Sequence, residues 1–175
     1  MQVALTRGIK NFVSDFRAIR RILKDVGARK IESKQQVDYF FNLPTDKERK
    51  HSMRLKLRYE SGKPKIVYYY DSAQSPKSVA QFRMYKIFYP SLKDLLEACL
   101  GISVVVKKRR EIWRKGAAVF NLDTIDNLGK VFELEIEKTT DVADEVGHYL
   151  NLFKAHLGRP ICGSNEDLVK ASNKS

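Results

Sequence analysis

Apolar and polar residues alternate along most of this chain, and the alternation predicts a fold built mainly of β-strands. The clearest case is residues 53–59, where Leu55 and Leu57 fall on one side and three basic residues fall on the other. Successive side chains of a strand point to opposite faces, so such a segment has one apolar and one charged face. The same reasoning predicts strands over residues 3–11, 30–41, 53–59, 65–71, 79–88 and 104–114, and a hairpin over 121–137.

Three segments instead space their apolar residues as an amphipathic helix does. They cover residues 16–26, 92–100 and 142–157, with Ser14, Ser91 and Asp141 as predicted N-caps and a glycine after each. Eight strands and three helices joined by short turns predict an α+β fold. We expect an eight-stranded antiparallel barrel, closed or nearly closed, with about three helices packed outside. Residues 1–158 form this single domain, and residues 159–175 form a polar C-terminal tail.

Basic residues gather on single faces of several predicted strands, and each of these strands has an apolar opposite face that a helix can cover. If the helices lie outside, the charged faces line the inside of the barrel. A lumen rich in cations is costly unless an anion balances them, and a phosphate chain would accept charge-assisted hydrogen bonds there. The alternative is that each basic strand is a solvated face. The residues concerned are Arg54, Lys56, Arg58, Arg83, Lys108 and Arg110.

The last predicted strand carries acids where the others carry bases. Glu133, Glu135 and Glu137 share one face, and Phe132, Leu134 and Ile136 share the other. Three neighbouring carboxylates repel one another, and a divalent cation with its preference for oxygen ligands would relieve that repulsion. A solvated outer face of an antiparallel sheet explains the same pattern, and this strand alone does not decide between the two.

Charge and length narrow the choice of partner. The 175 residues suffice for one domain, and 33 basic against 21 acidic residues give a net charge of +12. Such an excess indicates an anionic partner, which includes nucleotides, polyphosphate, nucleic acid and anionic surfaces. RNA binding through Arg20, Arg21, Lys107 and Arg109 is the weakest of these alternatives, so a nucleic-acid partner is not expected.

Cys99 and Cys162 fit neither a disulfide framework nor a zinc site, which indicates a reducing compartment. The chain has neither a signal-peptide pattern nor an apolar run long enough to span a bilayer. We therefore expect a cytoplasmic protein with no membrane partner.

Several short motifs resemble those of one family. They are Lys10 with Asp15, Gln36-Val-Asp-Tyr-Phe40, Leu55-Lys-Leu-Arg58, Lys108-Arg-Arg110, Leu122-Asp123, the run from Leu128 to Glu135, and Ser164-Asn-Glu-Asp-Leu168. Together they resemble the CYTH superfamily, the triphosphate tunnel fold shared by class IV adenylate cyclases and thiamine-triphosphatases. The resemblance covers about residues 3–169 and is closer to the cyclase branch.

The resemblance implies a tunnel whose bases hold a triphosphate and whose acids hold a divalent metal. By position, the phosphate contacts would be Lys10, Lys56, Arg58, Lys108 and Arg110, with Arg54 and Arg83 added from their strand faces. The metal, Mg²⁺ or Mn²⁺, would lie against Asp123, Glu133 and Glu135. The ligand would be a nucleotide such as ATP or inorganic polyphosphate.

The chain departs from the family pattern on its first strand. The family's ExExK motif falls on residues 6–10, where Lys10 is retained but Thr6 and Gly8 replace both glutamates. A lysine expected on the fourth strand falls on Tyr69. We therefore expect triphosphate binding in a basic tunnel, with adenylate cyclase or triphosphatase activity left open and no catalytic residue assigned. The alternative is a catalytically inactive binding module. The sequence leaves the organic part of the ligand and the oligomeric state undecided.

Overall fold

Eight β-strands form where the sequence alternates. They are β1 (Gln2–Val13), β2 (Arg29–Phe41), β3 (Arg54–Glu60), β4 (Lys63–Asp71), β5 (Val79–Lys86), β6 (Ile102–Lys115), β7 (Ala118–Ile125) and β8 (Gly129–Glu137). The computed structural model describes residues 2–43, 53–71, 79–86, 91–137 and 142–173. For residues 2–7, 69–71, 79–83, 86 and 142–143 it describes the backbone alone.

The strands close into one antiparallel barrel, in the order β1-β5-β4-β3-β2-β6-β7-β8. Strand β1 closes the barrel because it pairs with both β5 and β8. Its first half pairs with β5, and residues Leu5 to Val13 pair with β8. A closed barrel has no exposed sheet edge, and its two faces are an outer wall and a lumen. The predicted eight-stranded antiparallel barrel is confirmed.

The apolar faces of β7 and β8 point outward and are covered by two helices, α1 (Arg17–Asp25) and α3 (Val142–Phe153). The helices contribute the buried side chains of Ile19, Leu23, Tyr149 and Phe153. Phe120 of β7 lies at the centre, with its ring 4.9 Å from that of Tyr149. The main apolar core therefore lies between the barrel wall and the helices, and it does not occupy the lumen. The wall contributes Trp113, Ala118, Phe120, Leu122, Phe132, Leu134 and Ile136.

The described residues contain four α-helices where the sequence predicts three, the others being α2 (Leu92–Leu100) and α4 (Asn165–Ser172). A single 3-10 turn, Lys154–His156, follows α3. No helix within the described ranges has the length and apolarity that crossing a bilayer requires.

Two helix details differ from the prediction. Helix α1 begins at Arg17 with Phe16 as N-cap, so Ser14 does not cap it; the Ser14 carbonyl accepts a hydrogen bond from Lys130 instead. No residue of α2 is buried and Leu95 is 58% exposed, so the predicted inward stripe is wrong for this helix. The predicted cap Asp141 lies outside the described residues.

The chain after residue 158 closes one end of the lumen. Residues 158–161 hydrogen-bond along the part of β1 that β5 does not reach, as in the 2.7 Å bond from Gly158 N to Phe12 O. Helix α4 follows, with a capping box between Ser164 and Asp167. The residues that fill this end of the lumen are Phe40, Val104, Val106, Ile125, Val131, Ile161 and Val169.

A close contact explains the glycine at position 8. The pairing of β1 with β8 shifts register between Arg7 and Ile9, which marks a bulge at Gly8. A Cβ placed on Gly8 would lie 2.6 Å from Cγ2 of Val146 on α3, inside van der Waals contact. Helix α3 therefore packs so closely against β1 that a side chain at position 8, one of the two expected glutamate positions, would force Val146 or α3 to shift.

We expect Gly8→Ala to destabilise the protein by roughly 1–3 kcal/mol, because the added methyl group must displace Val146 or shift α3. The change is measured as the free energy of unfolding in urea. Gly147→Ala is the matched control, since nothing lies within 4 Å of its Cβ position and alanine favours a helix. Recovery of stability in the Gly8→Ala/Val146→Ala double variant would confirm the contact; equal stability of Gly8→Ala and the wild type would contradict it.

Candidate functional site in the barrel lumen

The lumen is lined by basic side chains of β3 and β6. Lys56 and Arg58 alternate inward on β3, and Lys108 and Arg110 do so on β6. Lys56 and Lys108 are each 5% exposed, and the Arg58 and Arg110 side chains are each 12% exposed. Amino groups and guanidinium groups from two separate strands thus converge inside the barrel, as the alternation predicts.

Asp38 balances the positive charges of Lys56 and Arg58, although the sequence alone suggests no role for it. Asp38 lies opposite Arg58 in the β2–β3 register. Its Oδ1 and Oδ2 accept hydrogen bonds of 2.6 Å each from Nε and Nη2 of Arg58, and Oδ2 accepts another of 3.3 Å from Lys56. This is a bidentate arginine–carboxylate pair, in which geometry and charge act together.

The β6 pair repeats the same arrangement. Asp123 lies opposite Arg110 in the β6–β7 register, and its two oxygens accept 2.6 Å bonds from Nε and Nη2 of Arg110. Lys108 donates to Asp123 Oδ2 at 3.1 Å. Each half of the lumen therefore holds an Asp–Arg–Lys triad, built from Lys-x-Arg on one strand and an aspartate on its neighbour.

Burial and mutual attraction decide the charges of these groups. Burial raises the pKa of Asp38, but the nearby Lys56 and Arg58 outweigh burial and hold this pKa far below its usual range. In the same way, burial raises the pKa of Asp123, and the nearby Arg110 and Lys108 outweigh it and lower the pKa. Burial and the nearby Arg110 lower the pKa of Lys108 to about 7, against the opposing pull of Asp123. Both aspartates are ionised, and Lys108 loses its proton more easily than a lysine in water does.

Of the β8 glutamates, Glu133 contacts the second triad and Glu135 contacts Asn121. Glu133 Oε2 lies 3.2 Å from Nη2 of Arg110, and Asn121 donates to Glu135 Oε2 at 3.2 Å. Lys10 lies opposite Glu133 in the β1–β8 register and donates to the Gly163 carbonyl at 3.1 Å. Lys10 therefore lies in the same part of the lumen and also contacts the C-terminal segment. Glu137 lies at the end of β8 and pairs with Arg114.

Two predicted residues lie apart from the triads. Arg54 lies toward the end of the lumen that α4 closes, with its Nη1 3.9 Å from Glu166 Oε2. Arg83 pairs in register with Tyr68, and Tyr68 pairs with Leu55, on the face opposite to Lys56. Since paired residues share a face, the register puts position 83 on the face opposite to Lys56. The phosphate role of Arg83 stays a prediction.

A further acid lies near the other mouth of the lumen. Glu60 contacts Lys65 and accepts a 2.6 Å hydrogen bond from Gln36, with Lys34 3.3 Å away. Partial burial raises the pKa of Glu60, but Lys65 and Lys34 outweigh it and lower the pKa to about 2. The lumen thus contains acids on β2, β3, β7 and β8, and its charge is far closer to balance than the basic strands suggest.

The acids do not form a metal site. No group of three or more His, Cys, Asp or Glu side chains that could hold a metal ion occurs in the described part of the chain. Both oxygens of Asp123 are bonded to cations, and Glu133 shares Arg110 with it. A divalent cation would have to displace these partners, so the side chains present do not fit a protein-held Mg²⁺ or Mn²⁺. The metal roles of Asp123, Glu133 and Glu135 stay a prediction from the resemblance.

A closed barrel with a charged lumen and outer helices defines a tunnel-type domain. The CYTH domain family model matches residues 8–158, and the chain belongs to this family. No curated protein matches the sequence.

Solved structures share the fold over nearly the whole chain. The PH1012 protein of Pyrococcus horikoshii OT3 is 20% identical with a TM-score of 0.75, covering 96% of this chain and 99% of that one. A candidate adenylate cyclase from Vibrio parahaemolyticus is 18% identical with a TM-score of 0.70, covering 96% and 97%. HpAC1 from Hippeastrum, whose dominant activity is a triphosphatase activity, is 15% identical with a TM-score of 0.60, covering 98% and 95%. At these identities the likeness is one of fold.

We expect Asp38→Asn to cost roughly 3 kcal/mol of unfolding free energy at pH 7, because it leaves Lys56 and Arg58 buried without their anion. The folded-state pKa of Asp38 lies below its unfolded value, so its contribution is present above about pH 4 and is lost as the pH falls further. The difference between variant and wild type should therefore shrink in urea titrations near pH 3.

Asp94→Asn is the control, since the Asp94 side chain is 79% exposed on α2. It should change the unfolding free energy by less than about 0.5 kcal/mol at either pH. An Asp38→Asn variant as stable as this control at pH 7 would contradict the role of the triad.

Proposed function

We propose that the lumen binds a linear chain of phosphates, either the triphosphate of a nucleotide such as ATP or inorganic polyphosphate. The observation that carries the proposal is the pair of Asp–Arg–Lys triads, which hold four cations inside a closed barrel at low exposure. Arginine and lysine are the side chains that bind phosphate oxygens most strongly. Phosphate roles for Lys10, Lys56, Arg58, Lys108 and Arg110 follow from their position; Arg54 would contact only a ligand that reaches the closed end.

The aspartates support binding by orienting the arginines. Asp123 occupies the Nε and Nη2 edge of Arg110, and Nη1 makes no hydrogen bond to any described residue. The guanidinium is therefore fixed with donor capacity left for a ligand, and little conformational entropy remains to be lost on binding.

Lys108 supports the same conclusion. An anion beside this amino group would favour its charged form, which burial now disfavours. A phosphate chain beside Lys108 would therefore raise the pKa of this amino group. The cell interior supplies such ligands, in line with the cytoplasmic location that the sequence predicts.

The proposal does not depend on a metal. Mg²⁺ or Mn²⁺ could arrive with the phosphates, since magnesium is often held by substrate oxygens and few protein ligands. The carboxylates that would complete a protein-held site are engaged by Arg110 and its neighbours. Binding through cations therefore has more support than metal-dependent catalysis.

We expect tripolyphosphate to bind the protein in EDTA, as measured by isothermal titration calorimetry. Arg58→Ala should weaken binding about 30-fold, or ~2 kcal/mol, because a charge-assisted contact is lost. Arg58→Lys keeps the charge but loses the bidentate geometry, so its affinity for tripolyphosphate should lie between that of Arg58→Ala and that of the wild type. Arg21→Ala on the outer face of α1 is the control for loss of one positive charge.

The absence of heat in the wild-type titration would reject the proposal. Equal weakening by Arg58→Ala and Arg21→Ala would place the binding outside the lumen. Circular dichroism of each variant separates loss of binding from loss of fold.

Catalysis is the alternative, as an adenylate cyclase or as a triphosphatase. We expect no release of phosphate or pyrophosphate and no cyclic AMP above the level of a Glu133→Ala variant, with ATP or tripolyphosphate and Mg²⁺ or Mn²⁺. The reason is that Glu133 and Asp123 are bound to Arg110. Metal-dependent turnover that Glu133→Ala abolishes would establish the catalytic alternative and leave the binding proposal intact.

A further inference from the structure

A second concave site lies on the outside of the barrel. It is a groove of about 800 Å³ between the start of α1 and the outer faces of β2, β6 and β7. The strand register separates it from the lumen, because Arg109 pairs with Gln35 on one side and Thr124 on the other. These three residues alternate with Lys34, Arg110 and Asp123, which face the lumen. The groove therefore belongs to the opposite face of the same three strands.

Positive charge dominates the groove. The side chains of four basic residues (Arg17, Arg20, Arg109 and Lys130) and two acidic residues (Asp15 and Glu111) line it, together with the uncharged donors Ser33, Gln35, Ser61 and Thr124. Lys34 and Arg110 also border the groove, but their side chains face the lumen. Glu111 is held by Arg20 through two hydrogen bonds of 2.7 and 3.1 Å, and Asp15 by Arg17. Each acid is thus already paired with an arginine, and Arg109 and Lys130 make up the remaining positive charge of the groove.

Arg109 is the clearest sign of a missing partner. It is exposed in the groove, and its guanidinium makes no hydrogen bond or ion pair with any residue that the structure describes. Arg17 is 88% exposed, so its cation also reaches solvent despite its contact with Asp15. Lys107, two residues before Arg109 on the same face of β6, is also exposed.

The groove lacks the features that a protein partner requires. Its apolar side chains, Phe16 and Leu122, are buried in the outer core, so no exposed apolar anchor is present. Phe16 also lies beneath Arg20, whose guanidinium carbon is 5.5 Å from the ring centre. No aromatic face is left for a base to stack on. What the groove offers is guanidinium, hydroxyl and amide donors, the groups that contact the sugar–phosphate backbone of nucleic acids.

We propose that this outer groove binds the phosphate backbone of a nucleic acid without sequence preference, independently of the lumen. Phosphodiester groups would be held by Arg17 and Arg109, with Thr124 and Gln35 as neutral donors beside them. Recognition through the backbone alone predicts equal affinity for unrelated sequences and a steep dependence on salt.

The test is fluorescence anisotropy with labelled 20-nucleotide RNA, duplex RNA and duplex DNA, in saturating tripolyphosphate so that the lumen is occupied. The Arg17→Ala/Arg109→Ala variant should bind about tenfold more weakly, and the slope of log affinity against log salt should fall by about 0.7–0.9 for each lost contact. Lys93→Ala/Lys154→Ala removes the same charge outside the groove and should bind as the wild type does. Differences among the three oligonucleotides identify which backbone the groove prefers.

Arg58→Ala separates this proposal from the lumen proposal, since it should lose tripolyphosphate and keep the oligonucleotide. The proposal is overturned if the two double variants lose affinity equally, or if tripolyphosphate displaces the oligonucleotide. It is also overturned if an acidic peptide, and no oligonucleotide, depends on Arg17 and Arg109, because the partner would then be a protein.

Discussion

Pairing of aspartate with arginine and lysine inside the barrel is the interaction on which this structure depends. Four buried cations would repel one another and lose their hydration, at a cost of several kcal/mol each. Asp38 and Asp123 remove that cost, and because each lies opposite its arginine in the strand register, backbone pairing and charge pairing fix the same geometry. The barrel can therefore keep a polar lumen while its apolar core forms outside, under α1 and α3.

The same pairing limits what the lumen can do. A carboxylate that accepts two or three hydrogen bonds from cations is a poor ligand for Mg²⁺, because the metal would have to break those bonds first. The absence of side-chain space at Gly8 adds to this, since α3 occupies the volume that a glutamate at this position would need. Both features favour a lumen that holds phosphate through cations. The basic groove on the outer face of the same strands carries a separate excess of positive charge.

Alternation along the chain predicted the strands, the barrel and the inward position of Lys56, Arg58, Lys108 and Arg110, because burial of one face imposes a period of two. It could not predict pairing partners, since register depends on contacts between distant segments. Asp38 was therefore overlooked, as was the register that puts position 83 on the face opposite to Lys56. The polar composition of residues 159–175 predicts a tail, and only the filled end of the barrel shows where Ile161 and Val169 pack.

Ile161 and α4 fill one end of the barrel. A phosphate chain bound in the lumen as proposed would therefore enter and leave through the other end, on the side of Glu60 and Lys34. A linear anion would insert by its terminus, and whatever it carries at the other end would stay outside. Such a protein would distinguish the ends of a polymer from its interior, and its preference among ligands would depend on what the rim tolerates.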